Sequence, residues 1–248
     1  MQDEAVNDHL ILVSGKSTTG KSASVRTLNN PENWAYLNCE AGKRLPFKSK
    51  FQEFTITDPL QVYEAFDWAE SQDNVEGIIV DSITFLMDMF ESVHVINATN
   101  TMKAWGDYAQ FFKNLMQVYV ARSTKSVIFT AHALDQLNEA DMAIETKVPV
   151  KGSLKNNGIE SYFSAVVSAK KMTIKALEGY ENDLLAITPE DEALGFKYVF
   201  QTKLTKETVG ERIRAPMGLW STAETYIDND MDKVMARLHE YYGTEAAA

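Results

Sequence analysis

The sequence predicts an α/β protein with a mainly parallel central sheet, extended by antiparallel strands in its C-terminal third. Three observations carry this expectation. Short aliphatic runs such as "LILVS", "GIIVD" and "SVIFTAH" end at a glycine, an aspartate and a histidine, and continuous apolar runs suit strands buried on both faces. Stretches with apolar residues at helical spacing separate these runs, the alternation expected of parallel strands joined by crossover helices. The chain has 248 residues, 45% of them hydrophobic, enough for a well-covered core.

Residues 10–14, "LILVS", form the first strand and feed a turn at Gly15. From Lys21 to Leu28 the chain is expected to be helical, with Asn29, Asn30 and Pro31 as the stop. "WAYLNCE", from Trp34, is the second strand, and "PLQVYEAFDWAESQ" has apolar residues at helical spacing. "VEGIIVDSITFL" carries the third strand, ending at Asp81, and a polar stretch, "ESVHVINATNTMK", follows. "WGDYAQFFKNLMQVYVARS" reads as an amphipathic helix and "SVIFTAHA" as the fourth strand. Residues 133–158 are mostly polar, include Gly152 and Gly158, and read as a long loop or excursion. "YFSAVVSAKKMTI", "FKYVFQTKLTK" and "GERIRAPMGLW" read as further, antiparallel strands, and "DKVMARLHEYY" as a last amphipathic helix. Parallel sheets bind ligands at the carboxyl ends of their strands. Gly15, Glu40, Asp81 and His132 all fall at or just after such ends.

Composition narrows the function classes. With 24 basic and 35 acidic residues the formal net charge is −11, which argues against a broad basic surface for duplex DNA but leaves room for a local basic channel. No apolar run reaches the length of a membrane span, and the acidic, polar "MQDEAVNDH" is unlike a secretory signal. Cys39 is the single cysteine, so an intramolecular disulfide is impossible and a reducing, cytoplasmic setting fits. No repeat at a solenoid period is visible, and the closing "GTEAAA" reads as a frayed tail.

The run Gly15-Lys16-Ser17-Thr18-Thr19-Gly20-Lys21-Ser22 satisfies G-x-x-x-x-G-K-[ST]. Glycines let a backbone wrap closely around phosphates with its N–H groups turned inward. Gly15, Lys16, Ser17, Thr18, Thr19, Gly20, Lys21, Ser22 and Ala23 are the expected nucleotide-binding set. Lys21 is expected to reach the β- and γ-phosphates, and Ser22 to ligate Mg²⁺. From average residue frequencies, a chance match in a chain of this length is on the order of one in a hundred, and a strand before it with a helix after it makes chance rarer. Asp81, at the end of "GIIVD", suits the carboxylate that holds Mg²⁺ through water. A helix N-cap at this point is the plainer alternative, with Ser82 as the cap. Glu40 can orient or deprotonate an attacking water, against surface decoration. His132 can touch a γ-phosphate and report it to the next loop, against a histidine satisfied locally.

"GKSTTGKS", "YLNCEAG", "IIVDSIT", a long polar stretch, an amphipathic helix and "VIFTAHA", in that order, resemble the RecA-like ATPase core over residues 9–135. The short chain is similar to phage-encoded AAA-type nucleotide-binding proteins, including the Sak-type annealing and recombination group. The resemblance implies one RecA-like P-loop NTPase domain over 1–248. Within it, residues 1–8 are a flexible N-terminus and 9–135 the nucleotide-binding core. Residues 136–227 are a loop and C-terminal strands, and 228–248 a C-terminal helix and tail. It implies ATP and Mg²⁺ as ligands, with Glu40 activating water, Asp81 beside the metal and His132 as the sensor. It places two DNA-binding loops at 91–104 and 133–158. Their cations, Lys103, Lys147, Lys151 and Lys155, with Trp105 close by, supply charge and one stacking ring for single-stranded DNA. Solvated loops are the alternative. "ERIRAP" resembles the segment that carries a cation into a neighbouring subunit's site, with Arg212 first, Arg214 second, and Lys203 and Lys206 as fallbacks. Ordinary strand-face charges are the alternative there. The implied function is ATP-dependent binding of single-stranded DNA in phage-type homologous recombination or strand annealing. It would act as a filament or ring in a phage-infected bacterial host, alongside a single-strand-binding or other replication or recombination protein. An ATPase acting on a protein partner without nucleic acid is the rival reading. A small-molecule kinase ranks lower for want of an arginine-rich lid, and a scaffold without turnover completes the set.

Overall fold

The computed structural model describes residues 7–139 and 142–245. The expected flexible segment 1–8 lies largely outside the described residues. Of the expected frayed tail 243–248, residues 243–245 are instead the last of the C-terminal helix, and 246–248 lie outside the described residues. The strands are β1 (Leu10–Gly15), β2 (Trp34–Asn38), β3 (Gln52–Thr55), β4 (Gly77–Asp81), β5 (Ser126–His132), β6 (Leu134–Asn138), β7 (Ala143–Lys147), β8 (Ala165–Thr173), β9 (Phe196–Gln201) and β10 (Tyr226–Asp228). The helices are α1 (Gln61–Glu70), α2 (Ile83–Phe90), α3 (Thr101–Asn114), α4 (Leu154–Asn157), α5 (Ile174–Leu177), α6 (Pro189–Leu194) and α7 (Met231–Glu245).

One eight-stranded sheet runs in the order β10-β9-β8-β1-β5-β4-β2-β3, and β6-β7 form a separate hairpin. From β3 to β8 every pairing is parallel. β9 and β10 are added antiparallel. The expected fold class holds, with one adjustment. β8, read as antiparallel, runs parallel to β1 along Ala165–Ser168 and antiparallel to β9 further on.

The central strands carry unbroken apolar runs, 10–13 in β1, 78–80 in β4 and 127–129 in β5, because helices cover both faces. Leu10 and Leu12 point to one face, with Phe66 of α1, Leu86 of α2 and Phe112 of α3. Ile11 and Val13 point to the other, with Val25, Trp220 and Val234 and Leu238 of α7. Alternate residues of β1 thus enter two separate cores.

Four local expectations change. The run after the phosphate loop is a 3₁₀ helix, Ser22–Thr27. Its Ser and Thr hydroxyls bond back to the backbone, Ser24 to Lys21 O at 2.6 Å and Thr27 to Ser24 O at 3.1 Å, and such residues form α-helix poorly. Residues 91–95 continue α2 as a π-helical turn, so the loop expected at 91–104 shrinks to a short link before α3. Within 133–158 lies the hairpin β6-β7. "GERIRAPMGLW" makes only isolated bridges, Glu211 to Thr146 and Arg214 to Val166. Beyond Arg214, Pro216 has no N–H to continue a ladder.

Candidate functional site

Of the four strand-end residues, Glu40, Asp81 and His132 come together around one cavity. A cavity of about 650 Å³ opens at the carboxyl ends of β1, β2, β4 and β5 and is lined by Lys21, Ser22, Glu40, Asp81 and His132 among others. Of the nine loop residues, Ser17, Thr18, Gly20, Lys21, Ser22 and Ala23 line it. Gly15 instead packs beneath the loop, where a Cβ would lie 2.7 Å from Ala169 O. Thr19 donates to Lys16 O at 2.9 Å, and the Lys16 ammonium turns away to Asp135, 2.6 Å distant. Thr18 and Gly20 both have positive φ, 64° and 91°, the conformation that curls the backbone and for which glycine is best suited.

Lys21 is buried, 6% exposed, and its ammonium donates to Lys16 O at 2.8 Å. Burial is the main reason its pKa falls to about 8, opposed by the carboxylates of Asp81 and Glu40. The ammonium thus sits among acceptors, where an incoming phosphate would be the strongest competitor.

Asp81 is buried at the end of β4. Tyr36 donates to its Oδ2 at 2.6 Å, and Thr130 of β5 donates to Oδ1. These bonds fix the carboxylate and offset the cost of burying it. The Asp81–Ser82 peptide is cis, and Ser82 caps α2 by accepting from Phe85 N. The two expectations for this point thus belong to adjacent residues. Asp81 and the Ser22 hydroxyl line the same cavity, and among the described residues no cluster of three His, Cys, Asp or Glu could cage a metal. A hydroxyl, one carboxylate and substrate phosphates suit Mg²⁺, which keeps most of its waters.

Glu40 follows β2 on a loop pinned by Asn38, which accepts from Glu40 N at 3.1 Å and donates to Lys43 O at 2.8 Å. The Glu40 carboxylate lies 3.4 Å from His132 Nε2 and 2.8 Å from Lys43 Nζ. His132 first, and Lys43 after it, outweigh burial and lower the Glu40 pKa to about 2. Glu40 is therefore anionic throughout the working range and suited to holding a water by its hydrogens. His132 is itself positioned by Thr84, which accepts from its backbone N–H at 2.9 Å.

Lys43, Arg44, Arg26 and Lys197 also line the cavity, and sequence reasoning missed all four. Lys43 and Arg44 were findable, as cations within four residues of Glu40. Arg212 and Arg214 do not enter this cavity. Arg212 pairs with Glu160 at 3.3 Å and Glu145 at 3.8 Å, and Arg214 donates to Ser161 O at 3.1 Å. Of the fallbacks, Lys203 donates to Trp220 O at 3.2 Å, and Lys206 is exposed.

A second cavity, of about 660 Å³, is lined by Trp105, Lys147, Lys151 and Lys155, with Gly152 and Gly158. Three of the four lysines expected to meet DNA thus share one groove with the one aromatic ring. Lys147 pairs with Glu145 at 3.2 Å, and Lys151 with Glu91. Lys103 stands apart on α3, paired with Asp107 at 2.6 Å.

No helix among the described residues is long and apolar enough to cross a membrane. Comparison with individual characterised proteins returned no match. A family profile described as an AAA domain matches residues 8–209, most of the chain and every strand-end residue of the first cavity. With the phosphate loop, Asp81 and the parallel sheet already in place, the match settles the family: the chain belongs to the AAA domain family of P-loop ATPases.

Proposed function

We propose that this ATPase is RecA-like, binds single-stranded DNA in an ATP-dependent manner and assists phage-type homologous recombination or strand annealing. The observation that carries the DNA half of this reading is the second cavity, where Trp105, Lys147, Lys151 and Lys155 converge. Lysines that track a backbone beside a ring that stacks a base are the elements of sequence-tolerant single-strand binding.

For the ATP half, the backbone of Ser17–Ala23 cradles the phosphates and Lys21 neutralises the β/γ bridge. Ser22 and Asp81 would hold Mg²⁺, which would supply charge neutralisation on the transferring phosphoryl group. Glu40 orients the attacking water. Lys43 and His132 pair with Glu40, and a γ-phosphate would draw both away. That exchange frees Glu40 for water and moves His132, which ends β5 directly before the hairpin. Lys147, paired with Leu134 at the base of that hairpin, lines the proposed DNA groove. A cation from a neighbouring copy, Arg212 or Arg214 among the candidates, would complete the site in a filament or ring.

Steady-state ATP hydrolysis with and without single-stranded DNA tests this, with Lys21→Ala as the blank. Stimulation by DNA that disappears in the blank is the expected result. Turnover indifferent to DNA, with no DNA bound in the presence of a non-hydrolysable ATP analogue, would sink the recombination reading and favour a protein partner.

A further inference from the structure

Asn229 lines the first cavity from the β10 side of β1, whereas Glu40 and His132 line it from the β2 and β5 side. Asn229 follows β10 and precedes α7, and it is 4% exposed. Its backbone carbonyl accepts from Arg26 at 3.2 Å, which ties it to the segment after the phosphate loop. Its side-chain Nδ2 is buried with no hydrogen-bond partner. A buried amide donor without an acceptor is costly, so it calls for an explanation from function.

The neighbours of Asn229 supply one. Its Oδ1 lies 3.1 Å from where a Cβ on Gly20 would be, and the Tyr198 ring lies 3.4 Å from the same point. Asn229 and Tyr198 therefore roof the second glycine of the phosphate loop, and both line the cavity. A nucleotide whose phosphates lie in that loop extends its base toward one end of the cavity. The end near Glu40 and His132 is where water attacks, so the base belongs at the end walled by Tyr198 and Asn229.

Resting on the nucleotide-site reading above, we infer that Asn229 is a base-reading residue selecting adenine over guanine, with Tyr198 as the adjoining aromatic wall. A carboxamide offers a donor and an acceptor side by side. Adenine presents the complementary pair, N7 as acceptor and the 6-amino group as donor. Guanine presents acceptors at both N7 and O6, which would set O6 against Asn229 Oδ1. Asp230, beside Asn229, also lines the cavity. It accepts from Lys233 N at 3.3 Å and, as a carboxylate, adds further acceptor character that suits an amino group and repels a carbonyl.

The test is calorimetric binding of Mg-ATP, Mg-GTP and Mg-tripolyphosphate to the full chain and to the Asn229→Ala, Asn229→Leu and Lys21→Ala variants. The full chain is expected to favour ATP over GTP. Asn229→Ala should weaken ATP by roughly three- to tenfold, the range for one lost hydrogen bond, leave tripolyphosphate unchanged and level the ATP-to-GTP ratio. Asn229→Leu keeps the size and removes both donor and acceptor, so it should lose the preference even if the alanine variant folds poorly. Equal weakening of ATP and tripolyphosphate in both variants would make Asn229 a brace for the loop and overturn the inference. An unchanged ATP-to-GTP ratio in both would overturn it as well. If the full chain binds none of the three ligands, or Lys21→Ala binds them as well as the full chain does, the nucleotide-site reading itself fails.

Discussion

At Lys21, burial and charge pull in opposite directions. Burial dominates and takes the pKa down from 10.5 to about 8. A basic group shifted down in this way costs folding stability below about pH 8, and the cost is relieved as pH rises toward 10.5. A bound triphosphate brings several negative charges to the ammonium and returns the pKa upward. Between pH 8 and 10, then, nucleotide binding takes up a proton at Lys21, and affinity falls as pH rises, by up to about tenfold per unit. Calorimetry at pH 9 in two buffers of different ionisation enthalpy measures the uptake. It should be close to one proton at pH 9, absent at pH 7, and absent at both in Lys21→Arg, because arginine does not titrate there. No uptake at pH 9 in the unmodified chain would show that Lys21 is charged without its ligand. The phosphate loop was legible because its residues are contiguous, so spacing alone reports them. Tyr36 and Thr130 were not, because they act on Asp81 from 45 and 49 residues away. Nothing in "WAYLN" marks its tyrosine as the one facing a carboxylate. Asn229 was hidden for the same reason, since its meaning comes from Gly20, which the fold brings beside it.

Among the elements, the β6-β7 hairpin joins the two cavities. Asp135 at its base holds Lys16 of the phosphate loop at 2.6 Å and accepts from Thr146 of the opposite strand at 2.8 Å. Thr146 N in turn donates to Gly210 O at 2.9 Å. The Lys16–Asp135 pair is exposed, so it contributes only about 0–1 kcal/mol to folding. Its value lies in linking loop to hairpin. Asp135→Ala should therefore leave thermal stability and DNA-independent ATP hydrolysis near those of the unmodified chain and reduce the stimulation by single-stranded DNA. Hydrolysis assays across a DNA titration read this out, and full stimulation in the variant would mean that the signal travels by another route. The hairpin escaped the sequence because "LDQLN" and "AIETK" are wet on both faces. Leu134, Leu137 and Ile144 are all exposed, so no contrast of period two exists to be seen. β3 and β10 are four and three residues long, too short to show a pattern. The buried strands β1, β4 and β5 were legible because helices on both faces demand unbroken apolar runs.

For the molecule as a whole, the proposed DNA binding sets a net charge of −11, which would repel DNA at long range, against three lysines in one groove that would attract it at contact. These effects separate in their salt dependence. Contact with phosphates releases counterions, and for single strands the slope of log K against log salt is about −0.7 per phosphate neutralised. Three lysines acting together give a slope near −2 by that rule. The diffuse repulsion is screened beyond about 10 Å at 0.1 M salt, so it affects the rate of encounter more than the bound state. The variant Lys151→Ala with Lys155→Ala should flatten the slope by roughly 1.4. Lys103→Ala should leave it nearly unchanged, because Lys103 lies outside the groove. Trp105→Ala should weaken binding by about 1–3 kcal/mol per stacked base without changing the slope, because stacking releases no counterion. Fluorescence titration of a labelled oligonucleotide from 50 to 200 mM salt, with a non-hydrolysable ATP analogue present, distinguishes all three. A slope equal in the double variant and the unmodified chain would place the DNA elsewhere on the protein and leave the groove without a role in its capture.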